Sequence, residues 1–96
     1  MSVRLVVTIR AKPGKGDQLA KAQAARCLDV QQEPGCEQFE IFRSELDSDK
    51  LLLLERWVDQ AALDAHAERN RTRPPLDPDL RAGAGEREDY AYSRVR

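Results

Sequence analysis

One histidine and a few aromatic residues are the side chains best suited to chemistry in this 96-residue chain. Histidine changes its charge near neutral pH, so His66 is a candidate general base that could take the proton of a phenolic hydroxyl group. Alternatively, His66 is a structural or partly exposed histidine. The flat indole of Trp57 could stack on an aromatic ligand, or it could anchor the core at the end of a strand.

Every aromatic residue of the chain lies after position 38. Tyr90 and Tyr92 are two residues apart, so in a strand they share one face and could donate hydrogen bonds to a quinone-type oxygen. Packing against a neighbouring sheet would explain the two tyrosines equally well. The candidate site therefore consists of His66 as the catalytic base and four ligand-binding residues, namely Phe42, Trp57, Tyr90 and Tyr92.

Composition excludes several classes of function. With 16 Lys and Arg against 17 Asp and Glu, the chain lacks the positive charge that general nucleic-acid binding needs. The longest apolar run is the four leucines at 51–54, whereas a membrane span needs about 20 residues. We expect no membrane association and, because a secretory signal is not evident, a cytoplasmic location. A single histidine excludes a metal site with two imidazoles, and Cys27 and Cys36 are expected to be small buried thiols.

Hydrophobic spacing predicts the order strand, helix, strand, strand, helix, strand. The predicted ranges are a strand over Val3–Arg10, a helix over 17–32 capped by Asp17, strands over 36–45 and 50–58, a helix from the Asp59 cap to 69, and a strand over 87–95. Residues 70–85 contain three prolines and predict an irregular connection with a short turn near Leu80. This order predicts one domain over residues 1–96 with a ferredoxin-like α+β fold, in which both helices cover one face of a four-stranded antiparallel sheet.

Both predicted faces of the sheet are apolar. In the strand over 50–58, Leu51 and Leu53 alternate with Leu52 and Leu54, and the sequence leaves open which pair faces the helices. Two helices cover only one face, so a bound ligand or a second copy of the chain must cover the other. Because small soluble oligomers are mostly twofold and self-complementary, we expect a homodimer that pairs through the sheet.

The remaining sequence features are charged or polar side chains in the hairpin, in the 69–73 segment and in the first helix. Arg43, Glu55 and Arg56 in the predicted hairpin suggest cross-strand ion pairs. The arginines of the 69–73 segment suggest a solvated loop, or a region that steers an anionic ligand. Gln23 and Arg26 interrupt the apolar stripe of the predicted first helix.

Three segments resemble the antibiotic biosynthesis monooxygenase domain. They are Glu-Pro-Gly-Cys at 33–36, Leu-Glu-Arg-Trp at 54–57, and Asp-Gln-Ala-Ala-Leu-Asp-Ala-His at 59–66. The resemblance extends over about residues 3–69 and includes the length of the chain and the order of its elements. It implies a homodimer in which the sheets of two ferredoxin-like subunits pack into a barrel.

The resemblance also implies a kind of chemistry. Members studied as enzymes oxidise anthrones and quinols with O2 and need neither metal nor flavin, so no cofactor is expected. Anthrone-oxidising members carry an asparagine four residues before the tryptophan and a tyrosine six residues after it, where this chain has Leu53 and Leu63. Haem-degrading relatives use an asparagine on the first strand, where this chain has Val7. They also use a tryptophan and a histidine on the second helix, and the position of that tryptophan falls near His66 in this chain.

Three functions follow as expectations, in decreasing order of preference. The first is a cofactor-independent monooxygenase that oxidises a small quinol-like or anthrone-like hydroxy-aromatic, with His66 or water accepting the proton. The alternative is a non-catalytic dimeric module of the same fold that binds a small aromatic molecule, because Leu53 and Leu63 replace polar site residues. A haem-degrading enzyme is the third possibility.

Overall fold

The computed structural model describes all 96 residues. Its elements are β1 (Val3–Arg10), α1 (Gly16–Val30), β2 (Cys36–Arg43), β3 (Lys50–Trp57), α2 (Gln60–Asn70), a short 3₁₀ turn (Pro78–Leu80) and β4 (Glu86–Ala91). The strands form one antiparallel sheet in the order β2-β3-β1-β4. This is the predicted ferredoxin-like fold. None of its helices is both long and apolar enough to cross a membrane.

The two faces of the sheet have different environments. Leu51, Leu53 and Trp57 are buried with Leu5 and Ile9 of β1 and with residues from both helices, so this is the helix-side face. The intervening residues of β3 lie on the opposite, outer face, where they are only half-buried. The structure thus settles the alternative that strand periodicity leaves open. The outer face has no covering layer within the chain.

The start of α1 corrects one prediction. The helix begins at Gly16, and Asp17 lies in its first turn instead of capping it. The cap comes from Asp49 in the β2–β3 loop, whose carboxylate accepts hydrogen bonds from the backbone N–H groups of Gly14, at 3.0 Å, and Gly16, at 2.9 Å. A side-chain carbon at Gly16 would lie 1.9 Å from the Ser48 carbonyl oxygen, so this close approach requires glycine.

The cap of α2 agrees with the prediction, whereas the end of β4 does not. Asp59 does cap α2, since its carboxylate accepts a hydrogen bond from the Ala62 N–H at 2.9 Å. Strand β4 ends at Ala91, four residues before its predicted end, because its partner β1 begins at Val3. The hydrogen bond from the Tyr92 N–H to the Ser2 carbonyl, at 3.0 Å, is the last one between these segments.

The irregular connection between α2 and β4 is attached to the body of the domain. Its Leu80 carbonyl accepts a hydrogen bond from the Lys12 N–H at 3.0 Å, and its Ala82 N–H donates to the Arg10 carbonyl at 2.8 Å. On the helix side, the Arg26 guanidinium donates to the Pro74 carbonyl. The connection therefore contacts both the end of β1 and α1, and it lies alongside that helix.

Candidate functional site

A cavity of about 170 Å³ lies between the helix-side face of the sheet and the two helices. Its apolar lining comes from the strands and α1, namely Val7, Ile9, Val30, Phe39 and Leu53. Its polar lining comprises Gln23, Arg26, Glu55, His66, Asn70 and Arg81. An apolar cavity of about 150 Å³ can hold benzene, so this one is large enough for a single aromatic ring.

A groove of about 470 Å³ lies beside the cavity, between α1 and the α2–β4 connection. Three of its lining residues also line the cavity: Gln23, Arg26 and Arg81. Residues 75–78 form its other wall, and three of these four residues are exposed, whereas most residues that line the cavity are buried. It is therefore the natural entrance, and substituents of a cavity-bound ring would extend into it.

His66 is held in place on the cavity wall from α2. The residue is only 5% exposed. Its imidazole lies against the Trp57 indole, with ring centroids 4.7 Å apart and planes tilted by 30°, and it meets the Phe39 ring edge-on at 5.4 Å. Its Nδ1 lies 3.0 Å and 3.2 Å from the two carboxylate oxygens of Glu33. Packing and hydrogen bonding together leave the ring one orientation.

The hydrogen-bond network defines which imidazole nitrogen carries the proton. Arg73 donates to the Asn70 Oδ1 at 2.6 Å, which turns the Asn70 amide nitrogen toward His66. That amide donates to the His66 Nε2 at 3.0 Å, so Nε2 is an acceptor. The proton of the neutral ring is then on Nδ1 and is donated to Glu33. This is the tautomer that a general base acting through Nε2 requires.

Glu33 is a buried carboxylate with three cationic or proton-donating partners. Burial favours its neutral form, but hydrogen bonds from Arg73, His66 and Arg69 outweigh burial and hold the pKa of Glu33 below its ordinary value. The distances from its carboxylate are 2.9 Å to Arg73 and 3.0 Å to Arg69. Two arginines of the 69–73 segment therefore serve this site instead of forming a solvated loop. Only Arg71 makes an exposed ion pair, with Glu68.

Glu55 is the one carboxyl that lines the cavity, and its predicted cross-strand ion pair is wrong. Its side chain points to the helix-side face, is 5% exposed and accepts a hydrogen bond from the Trp57 Nε1–H at 3.0 Å. Burial raises the pKa of Glu55. Arg56 does pair across the hairpin, with Glu37 at 3.4 Å, whereas Arg43 pairs with Asp17 of α1.

The structure divides the predicted site residues between the two faces of the sheet. His66 and the fully buried Trp57 lie on the helix side. Phe42, 44% exposed, and Tyr90, 52% exposed, lie on the outer face, where Tyr90 is the register partner of Arg4. Tyr92 is also on that side, with the guanidinium groups of Arg4 and Arg56 stacked 5.0 Å and 4.7 Å from its ring centre. A ligand in the cavity cannot touch all five residues.

Three polar residues at or near the cavity were not predicted from the sequence. Glu33 and Arg81 come from separate segments, and nothing in their spacing links them to His66. Asn70 lies four residues after His66 in α2, a spacing that places both side chains on one face of the helix. Gln23 did leave a signal, because it interrupts the apolar stripe of α1 and proves to be buried within that stripe. A polar residue in a buried helical stripe is a sign of a cavity wall.

The remaining titratable side chains do not form a metal site. No group of three or more His, Cys, Asp or Glu side chains is arranged to hold a metal ion. Cys27 is buried, Cys36 is half-buried, and both thiols are free. Burial raises the pKa of each thiol to about 11, so both stay protonated at neutral pH and are poor nucleophiles.

Comparisons with known proteins agree with this architecture. The family model for antibiotic biosynthesis monooxygenase matches residues 2–73. The structure is similar to protein SO0527 from Shewanella oneidensis, with 26% identity and a TM-score of 0.77 over 93% of this chain and 88% of that one. It is also similar to PA3566 from Pseudomonas aeruginosa, with 23% identity and a TM-score of 0.78 over 97% and 95% of the two chains.

A further solved structure, described as an antibiotic biosynthesis monooxygenase, is 22% identical to this chain. Its TM-score is 0.78, and the match covers 96% of this chain and 99% of that one. Among curated proteins, none matches the chain significantly. These similarities therefore establish the fold and the family without naming a substrate.

Proposed function

Because the chain belongs to the antibiotic biosynthesis monooxygenase family, we propose that it is a cofactor-independent monooxygenase that oxidises a small quinol-like or anthrone-like hydroxy-aromatic with O2. One observation carries the proposal: His66, held by Glu33 in the tautomer of a general base, lines a ring-sized cavity. Leu53, which lies where anthrone-oxidising relatives have asparagine, contributes to the apolar wall of that cavity. In this chain the polar work would fall to His66 and Glu55.

The first chemical step is removal of a proton from the substrate. The hydroxyl group would replace the Asn70 amide at the His66 Nε2, and Asn70, whose side chain is exposed, can yield that hydrogen bond at a cost of about 1 kcal/mol. As Nε2 accepts the proton, the Glu33 carboxylate stabilises the imidazolium ion. The resulting aromatic anion gives up electrons far more readily than the neutral substrate.

The second step is oxygen insertion. The anion transfers one electron to O2, and the two radicals combine to form a carbon–oxygen bond. The O–O bond then breaks, so that one oxygen atom remains on the carbon and the other leaves as water. The substrate supplies all the electrons and both hydrogen atoms of that water. Glu55, whose pKa is raised by burial, can hold the proton that the departing oxygen needs.

Oxygen uptake with a panel of hydroquinones and anthrones tests the proposal. We expect turnover above the spontaneous rate, and a loss of about 10²- to 10⁴-fold in the His66→Gln variant, because general-base catalysis contributes on that scale. Arg71→Gln is the matched control, since Arg71 is exposed and pairs only with Glu68. Ligand-induced thermal stabilisation without any product would instead support the non-catalytic binding module.

We also propose that the active form is a homodimer that pairs through the outer face. Val6, Leu52 and Leu54 are half-buried at the centre of that face, and Phe42 beside them is 44% exposed. Cross-strand register places Val6 opposite Leu54 and Phe42 opposite Leu52, so these side chains form one continuous apolar patch. Such a patch on a small domain is typical of a subunit interface.

A further inference from the structure

Three polar side chains mark the junction between the groove and the cavity. Gln23 and Arg26 project from α1, and Arg81 projects from the α2–β4 connection. All three line both spaces, so a molecule that occupies the cavity and extends into the groove must pass between them. The junction is thus the place where the outer substituent of a bound ring would lie.

The two arginines of the junction bring uncompensated positive charge. Neither Arg26 nor Arg81 forms an ion pair with any carboxylate of the chain. Their partners are neutral carbonyl oxygens, that of Pro74 for Arg26 and that of Gly83, at 3.2 Å, for Arg81. Both arginines are half-buried, where an anion is attracted more strongly than at an exposed surface.

Gln23 adds a hydrogen-bonding group at the same place. The residue is 6% exposed, yet its side-chain amide makes no hydrogen bond to any other protein group. No side-chain nitrogen or oxygen of the chain is both fully buried and without a partner, so the Gln23 amide reaches the space that it lines and can bind a ligand atom there. Because Gln23 lines both the groove and the cavity, that space is the junction.

Two carboxyl groups lie near the junction, and neither forms an ion pair with Arg26 or Arg81. Asp77 lines only the groove, where its carboxylate accepts a hydrogen bond from the Asp79 N–H at 2.9 Å. Glu55 lines only the cavity, and burial favours its neutral form. Gly85 leaves room for the Arg81 guanidinium, because a side-chain carbon there would lie 2.7 Å from the Arg81 Nη2.

We infer that Gln23, Arg26 and Arg81 bind a carboxylate group of the substrate, so that the substrate is an aromatic acid with hydroxyl groups on its ring. This inference rests on the proposed function, because it assumes that the ring occupies the cavity beside His66. The guanidinium groups pair with the carboxylate, and the Gln23 amide donates a further hydrogen bond to it. Neutral quinols of the same size would lack these contacts.

Calorimetric titration with gentisate, a hydroquinone that carries a carboxylate, and with its neutral methyl ester tests the inference. We expect the wild-type protein to bind the acid at least about tenfold more tightly than the ester, since a charge-assisted hydrogen bond contributes on that scale. Arg26→Gln and Arg81→Gln should each remove most of this preference. Arg81→Lys should keep part of it, and Arg71→Gln should keep all of it.

Equal affinity for the acid and the ester would overturn the inference, as would an unchanged preference in both glutamine variants. Failure of gentisate itself to bind at millimolar concentration would overturn it as well. Thermal melting curves check that each variant is folded. The two proposals can fail separately. If the His66→Gln variant still prefers the acid but the wild-type protein oxidises no substrate, the monooxygenase is contradicted and the carboxylate site is not.

Discussion

The imidazole of His66 has a neighbour at each nitrogen, and those neighbours determine what the ring can do. Glu33 accepts from Nδ1, and Asn70 donates to Nε2. Arg73 contacts both neighbours, so a single guanidinium holds Glu33 and Asn70 in position around the imidazole. Because Asn70 is exposed and Glu33 is buried, the network is fixed on the Nδ1 side and can open on the Nε2 side.

The buried carboxyl of Glu55 should make stability depend on pH. Because burial raises the pKa of Glu55 in the folded state, its contribution to stability is full below the unfolded pKa and is lost as pH rises through the folded pKa. Glu55→Gln cannot ionise and still accepts the Trp57 N–H. We expect it to be more stable than wild type by about 1 kcal/mol above neutral pH, with the difference shrinking in mild acid.

Thermal unfolding of the wild type and of Glu55→Gln across this pH range measures the effect. Glu68→Gln is the control, because Glu68 is exposed and its removal should leave the pH dependence unchanged. A stability difference between Glu55→Gln and wild type that stays constant with pH would show that the Glu55 carboxyl does not titrate as its burial requires.

At the residue scale, the sequence singled out His66 but not its partners. His66 stands out because it is the only histidine, and Trp57 because it is the only tryptophan. Glu33 lies 33 positions before His66, and Glu55 sits beside Arg56, where an exposed ion pair is the ordinary expectation. Only the tertiary fold shows that both carboxyls face the interior.

At the scale of elements, the turn between α1 and β2 depends on one glycine. Gly35 has a φ of +81°, and a side-chain carbon there would lie 2.6 Å from the Ala62 Cβ of α2. Gly14 has nearly the same φ, +80°, but nothing lies within 4 Å of its added carbon. A substitution at Gly14 would therefore cause backbone strain alone, whereas one at Gly35 would cause the same strain and a collision with α2.

We expect Gly14→Ala to lower the free energy of unfolding by about 1 kcal/mol, since only the left-handed conformation is strained. Gly35→Ala should lower it by roughly 1–3 kcal/mol more, because the new methyl group must also displace α2. Urea unfolding of both variants measures the difference. Equal losses would mean that α2 moves aside freely and that its contact with the turn is loose.

Periodicity and turn residues were enough to predict the order of elements, but not all of their ends. The four strands and two helices follow from alternation and from Pro-Gly signals. The start of α1 depends on Asp49, a residue from a distant loop, and the end of β4 depends on where β1 begins. Both ends are set by pairing between segments, which local sequence does not encode.

At the scale of the whole molecule, the two faces of the sheet have separate tasks. The helix-side face provides the cavity, with His66 in its wall, and the groove beside it. The outer face combines an apolar centre with the Arg4, Arg56 and Tyr92 stack at one end. Because the tyrosines lie on the outer face, their proposed role moves from ligand binding to subunit pairing.

Sedimentation at micromolar concentration tests that pairing. We expect the wild-type protein to sediment at twice the 10.9 kDa mass of the chain. Leu54→Glu places a charge opposite Val6 in the middle of the outer face, where burying it in an interface would be strongly unfavourable, and should yield the monomer. Leu46→Glu is the matched control, since Leu46 is 99% exposed in the β2–β3 loop and its replacement should leave the dimer intact. A wild-type species of 10.9 kDa, or a Leu54→Glu variant that still dimerises, would show that something other than a second copy covers this face.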